Sequence, residues 1–265
     1  MVNMREGSQN DPQQRWILRP APRPAATLRL FCFPYAGIGA SIFRSWAPEF
    51  PPHVELCLIQ PPGREGRFTE PAFHDLSAMA DSAAQGIAKH LSTPFMMFGH
   101  SLGALVSFEV VRRLRRQGLP LPLHLFVSAH RAPHVPNPHA PLRHLADAEF
   151  IERVSREYDG IPRAVLENPD LVELMLPSLR ADFTAFETYQ WTDEAPLQLP
   201  ISAFGGRTDR RVSEAELDGW RGRTTGSFRL EMFDGDHFFL QSRRDELIAS
   251  IRRDLNQSMS AGVVR

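Results

Sequence analysis

Ser101, Asp209 and His237 stand in that order along the chain, and together they could make and break an acyl-serine bond. A serine hydroxyl is a weak nucleophile until a base takes its proton. A histidine can do so near neutral pH, and a carboxylate can hold the imidazole in the tautomer required. Ser101 lies in Gly99-His100-Ser101-Leu102-Gly103, the G-x-S-x-G pattern of a sharp strand-to-helix turn that lifts the serine hydroxyl above a sheet. Such a turn crowds backbone on both sides, so the flanking elbow positions, Gly99 and Gly103, must be small. It also sets Ser101 at the positive end of a helix, where the Leu102 N–H can receive a developing oxyanion.

A second oxyanion donor is expected from Pro34-Tyr35-Ala36-Gly37-Ile38-Gly39-Ala40, a loop of mostly small residues directly after a strand. Among the histidines, His100 adjoins the serine, but the elbow turns neighbouring side chains apart. His130, His134, His139 and His144 fall before or within a helical insertion, where exposed loop histidines are common. His237 alone follows the last strand, in Asp234-Gly235-Asp236-His237-Phe238-Phe239, and is the expected base. Asp234 and Asp236 are rivals for the acid, but a residue one or three before the histidine reaches its far ring nitrogen poorly. Asp209, in the loop after a late strand, is preferred.

These groups need a scaffold of strands and helices. Apolar runs at Leu28–Phe33, Val54–Gln60, Phe95–Phe98, Leu123–Ser128, Leu199–Phe204 and Phe228–Phe233 read as strands, with Trp16–Leu18 as a short edge strand. Asp75–Leu91 and the segment after Ser101 carry apolar residues at helical spacing. The second ends in Arg112, Arg113, Arg115 and Arg116, which complement the helix dipole, and Gly118 is the expected stop. Ser213 and Glu216 form a capping-box pattern. Alternation of strands and helices predicts an α/β class with a mostly parallel central sheet flanked by helices. From His134 to Pro196 no strand-like run occurs. Asp147 can cap a helix there, and Leu171–Gln190 forms another that Pro177 should kink or restart. The organisation expected is a loose tail over 1–14, a core over 15–133 and 197–256, a helical lid over 134–196, and a flexible tail over 257–265. The lid would give the serine a mostly apolar wall suited to an acyl chain.

Composition narrows the function classes. With 265 residues and 42% hydrophobic content the chain can bury one large core. A net charge of -1 offers no electrostatic pull toward nucleic acid or an anionic membrane. Arg64 and Arg67 could meet an anionic partner, although solvated charge is their ordinary role. Cys32 and Cys57 lie in apolar strands and read as small hydrophobes, neither nucleophile nor disulfide. No apolar stretch approaches the ~20 residues of a membrane span, and a monomer in the cytoplasm is expected. No metal is expected, since no ligand spacing occurs.

Taken together, Phe33-Pro34-Tyr35-Ala36-Gly37, Pro62-Gly63-Arg64-Glu65, Gly99-His100-Ser101-Leu102-Gly103, Arg131-Ala132-Pro133, Leu176-Pro177-Ser178-Leu179-Arg180-Ala181-Asp182 and Gly235-Asp236-His237-Phe238-Phe239 resemble the type II thioesterases of polyketide and nonribosomal peptide synthesis. The resemblance spans about Leu28 to Arg252. It implies an α/β-hydrolase fold and an editing enzyme that clears stalled acyl groups from the phosphopantetheine arm of carrier proteins. It also implies catalytic roles for Ser101, Asp209 and His237, and oxyanion roles for the N–H groups of Ala36 and Leu102. No cofactor is implied, because phosphopantetheine belongs to the acyl or peptidyl carrier-protein substrate. Ile38 departs from the family, which more often has glycine there, as does Asp236. A carboxylesterase or lipase would use the same three residues, and a noncatalytic binding protein of the same fold is the remaining alternative.

Overall fold

The computed structural model of the protein describes residues 15–158, 161 and 163–262; the tail expected over 1–14 lies outside them. In chain order the strands are β1 (Ile17–Leu18), β2 (Leu28–Phe33), β3 (Val54–Ile59), β4 (Phe95–His100), β5 (Leu125–Ser128), β6 (Ile201–Gly206) and β7 (Phe228–Phe233). The helices are α1 (Leu76–Ala88), α2 (Leu102–Arg116), α3 (Asp147–Tyr158), α4 (Arg163–Leu166), α5 (Pro169–Glu187), α6 (Glu214–Asp218), α7 (Phe239–Ser242) and α8 (Arg244–Gly262). The strands form one sheet in the order β1-β3-β2-β4-β5-β6-β7. Among the described residues only the edge pair β1–β3 is antiparallel.

Period-two alternation gives each strand two apolar faces, as a sheet covered on both sides requires. Phe31, Cys57, Phe95, Met97, Leu125 and Val127 pack toward α1 and α2. Leu30, Cys32, Leu56, Leu58, Phe98 and Phe126 face the 3₁₀ segment Ala40–Glu49 and α8. Cys32 and Cys57 therefore point to opposite faces. Burial raises both thiols, Cys57 to about 11, so neither is a ready nucleophile. Asp75 caps α1 by accepting from the Ala78 N–H, and Ser213 and Glu216 form the capping box at α6.

Register positions the site. Phe33 pairs with Gly99, Gly99 with Val127, Ser128 with Phe204 and Gly206 with Phe233. The carboxyl ends of β2, β4, β5, β6 and β7 are thus level, and the loops after them share one rim. Open α/β sheets bind ligands at this rim.

Above it, α3, α4 and α5 lie between β5 and β6 in sequence. Leu142, Phe150, Val154, Leu179 and Phe183 give this cap a small core of its own. The restart expected at Pro177 is absent. α5 runs unbroken through Pro177; proline removes one intrahelical donor, and the bonds of the flanking residues carry the helix across it. α8 continues to Gly262, so most of the expected tail after residue 256 is helical.

Candidate active site

The elbow forms where β4 meets α2 with Ser101 alone between them, at φ 52° and ψ −121°. This backbone costs a non-glycine residue about 1–3 kcal/mol. It persists because its surroundings hold it: the Ser101 N–H donates to the Ser128 carbonyl at 2.7 Å. The glycine requirement is steric. A Cβ on Gly99 would overlap the Gly103 carbonyl, and one on Gly103 would overlap the Phe33 carbonyl.

His237 follows β7 and is 3% exposed. Its Nδ1 lies 2.7 Å from Asp209 Oδ2 and its Nε2 3.0 Å from Ser101 Oγ. The carboxylate can only accept, so Nδ1 carries the proton and the Nε2 lone pair faces the serine hydroxyl. Asp209 follows β6, and its Oδ1 accepts the Arg211 N–H at 2.7 Å and the Val212 N–H at 3.2 Å, which fixes the carboxylate plane. The rivals stand elsewhere. Asp234 is exposed and pairs with Arg207, and Asp236 accepts the Phe238 N–H.

Ala36, Leu102 and Ser101 line one cavity of about 120 Å³. The Gly37 N–H is taken by Asp182 Oδ2 at 2.7 Å and the Ile38 N–H by the Tyr35 carbonyl. Among the described residues the Ala36 and Leu102 N–H groups bond no internal acceptor, which leaves both available to an oxyanion. The remaining wall is largely apolar: Ile38, Val154, Met175, Leu179, Phe183 and Phe186. Ile38 is part of this wall.

Several contributors were not legible in the sequence. Asp182 of α5 is fully buried and holds Arg64, which is 5% exposed, through both terminal guanidinium nitrogens. Arg67, 7% exposed, bonds the Gln60 carbonyl and Glu70. Neither arginine is the solvated charge expected of it. Tyr158, the last residue of α3, meets the His237 ring edge-on at 5.2 Å. His100 is buried, as the elbow requires. Its Nε2 donates to the His237 carbonyl at 2.9 Å while its Nδ1 lies 2.9 Å from Ser128 Oγ; burial, then the nearby His237, holds its pKa well below the usual range. His130 is not an exposed loop histidine. It is 6% exposed, its Nδ1 donates to the Arg131 carbonyl, and burial followed by Arg131 lowers its pKa to about 3. His134 and His144 are exposed as expected. Among the described residues no group of three or more His, Cys, Asp or Glu could hold a metal ion.

A family model described as a thioesterase domain matches residues 28–255. The linear gramicidin dehydrogenase LgrE of Brevibacillus parabrevis is 43% identical, over 91% of this chain and 92% of its own length. The chain also resembles a solved thioesterase, RedJ, from the prodiginine pathway of Streptomyces coelicolor. That structure has 38% identity and a TM-score of 0.81, covering 87% of this chain and 94% of the other. The type II thioesterase BorB of the borrelidin cluster is 33% identical with a TM-score of 0.82, covering 90% and 96%.

Proposed function

This chain belongs to the thioesterase family, and from that premise we propose that it is a type II, editing thioesterase that hydrolyses acyl groups from the phosphopantetheine arm of acyl or peptidyl carrier proteins. The observation that carries the reading is the hydrogen-bonded series Ser101–His237–Asp209 opening into a mostly apolar cavity beside two unpaired N–H groups.

Ser101 Oγ attacks the thioester carbonyl as His237 Nε2 takes its proton. Asp209 stabilises the imidazolium, and the N–H groups of Ala36 and Leu102 receive the oxyanion. The tetrahedral intermediate collapses with cleavage of the C–S bond, and His237 returns the proton to the departing thiol. Water, deprotonated by the same imidazole, then attacks the acyl-serine; the C–O bond to Ser101 breaks as His237 returns the proton to Ser101 Oγ, and a carboxylic acid is released. Tyr158 and the apolar side chains of α3 and α5, Val154, Leu179 and Phe183, line the cavity beside the triad. The cavity volume of about 120 Å³ compares with the 150 Å³ that accommodates benzene, which supports short acyl groups as substrates.

The reading extends to a cytoplasmic monomer. No described helix is long and apolar enough to cross a membrane, and the exposed large hydrophobics among the described residues are Phe68, Leu171 and Leu174, too few for a large apolar interface. The test is release of acetyl, butyryl and hexanoyl groups from an acylated carrier protein, beside the same groups on aryl oxygen esters, with Ser101→Ala as control. Carrier thioesters should turn over and the alanine variant should not. Turnover of oxygen esters alone would make the enzyme a carboxylesterase.

A further inference from the structure

Beside the active-site cavity lies a second hollow of about 320 Å³, lined by His139, Ala140, Arg153, Arg156, Glu157, Arg210 and Arg211. The two share Arg211 as a common wall. α3 contributes to both, Val154 and Tyr158 to the first and Arg153, Arg156 and Glu157 to the second.

The hollow has four guanidinium groups. Glu157 pairs with Arg153 and Arg211, at 2.5 and 2.6 Å, and Glu152 pairs with Arg156. The four cations thus meet two carboxylates. Arg210 is exposed and has no ion pair or hydrogen bond among the described residues. Arg211 is 6% exposed and its Nε, though buried, has no partner; its guanidinium lies over the Tyr158 ring at 4.7 Å. The His139 Nε2 donates to the Arg211 carbonyl at 3.3 Å, and burial together with Arg211 lowers the pKa of this imidazole. An anion would find unspent donors and a net positive field here.

Reach allows the arm to extend from Ser101 to the Arg211 backbone, at the wall shared with the hollow. From sulfur to phosphorus a pantetheine arm has roughly thirteen bonds, about 15 Å when extended at the per-residue reach of a peptide. The contacts from Ser101 Oγ through His237 and Asp209 to the Arg211 N–H span no more than roughly the same length.

We infer that the hollow around Arg210 and Arg211 is a phosphate subsite that receives the phosphate of the phosphopantetheine arm while its thioester lies at Ser101. This deepens the thioesterase reading and rests on it. The arm enters past Arg211, its phosphate is held by Arg210 and Arg156 at the mouth, and Arg211 fixes the wall between phosphate and thioester.

The test compares acyl-4′-phosphopantetheine with acyl-pantetheine, which lacks the phosphate, and reads the ratio of their kcat/KM values within each protein. Wild type should favour the phosphorylated substrate about tenfold, mainly through KM, with the ratio falling toward one as salt is added. Arg156→Ala with Arg210→Ala should bring the ratio near one, and Arg210→Glu below it. Arg252→Ala, on the exposed side of α8, should keep the wild-type ratio. Equal use of both substrates by wild type, or a ratio that survives the double substitution, overturns the subsite while leaving the thioesterase reading intact. Hydrolysis of neither substrate overturns the thioesterase reading, and the subsite with it.

Discussion

Asp182 of α5 accepts the Gly37 N–H at 2.7 Å while the same carboxylate grips Arg64. One buried side chain thus joins the cap to the loop after β2 and to the loop after β3. The bond takes the Gly37 N–H, while the neighbouring Ala36, which lines the cavity, has an N–H with no acceptor among the described residues.

Removing half of a buried ion pair strands the other half. Asp182→Ala should lose about 3–5 kcal/mol of stability, because Arg64 stays buried without its counter-charge. Urea unfolding of Asp182→Ala, Arg64→Met and the double variant checks this. The double variant should be more stable than Asp182→Ala alone; equal instability of the two would refute the account.

Ser101→Ala, His237→Ala and Asp209→Asn should each lower kcat about 10⁴-fold or more, and combined losses should fall well short of multiplying, because the three act as one unit. Fluorophosphonate labelling should mark wild type and fail on folded Ser101→Ala. Labelling of that variant would mean that another nucleophile is responsible.

The glycine contacts separate two kinds of position. Gly99→Ala and Gly103→Ala force a methyl against backbone carbonyl oxygens, and each should cost at least about 3 kcal/mol or prevent folding. Gly66→Ala and Gly222→Ala meet nothing within 4 Å and should stay within about 0.5 kcal/mol of wild type. Thermal melting of the four variants decides; indifference at Gly103 would contradict the elbow geometry.

Buried histidines should make stability depend on pH. Burial, the largest cause in both, lowers His130 to about 3 and His124 to about 4; His130 also faces Arg131, His237 and Glu216, and His124 faces Asp254 and Arg229. Both folded values lie below the unfolded value near 6.5, so below that pH the unfolded chain binds more protons. Their contribution is complete above about pH 6.5 and is lost as pH falls toward 4 and 3, at up to about 1.4 kcal/mol per pH unit for each. Denaturant titrations between pH 7 and pH 4.5 should show this slope, and His130→Phe should flatten it. An unchanged slope in that variant would remove His130 from the explanation.

Cavity size should set chain-length preference. Met175, half-buried on α5, lines the apolar wall. Met175→Trp should lower kcat/KM for hexanoyl thioesters about tenfold and leave acetyl thioesters nearly unchanged, since a few methylenes in such a pocket are worth about this much. Equal losses on both substrates would point to damage at the triad instead.

The strands and the elbow were legible because local rules govern them. Apolar runs of strand length, the glycine-flanked serine and the Ser213–Glu216 cap each specify structure within a few residues, and the order Ser101, Asp209, His237 suited a sheet whose strand ends align. Arg64, Arg67 and His130 were misread for the opposite reason. Whether a charge or an imidazole is buried depends on a partner far along the chain, and Asp182 is 118 residues from Arg64. Pro177 likewise broke a local rule, in a helix whose Leu179 and Phe183 are buried in the cap core. What the sequence determined alone was the sheet, the elbow and the chemical types of the three aligned residues, since hydrophobic period and turn sterics act over short range. What the tertiary structure decided was which long-range pairs close: Asp182 with Gly37 and Arg64, Tyr158 over His237, and the arginines gathered beside the cavity. Those contacts depend on how separate elements pack, and packing is a property of the whole fold.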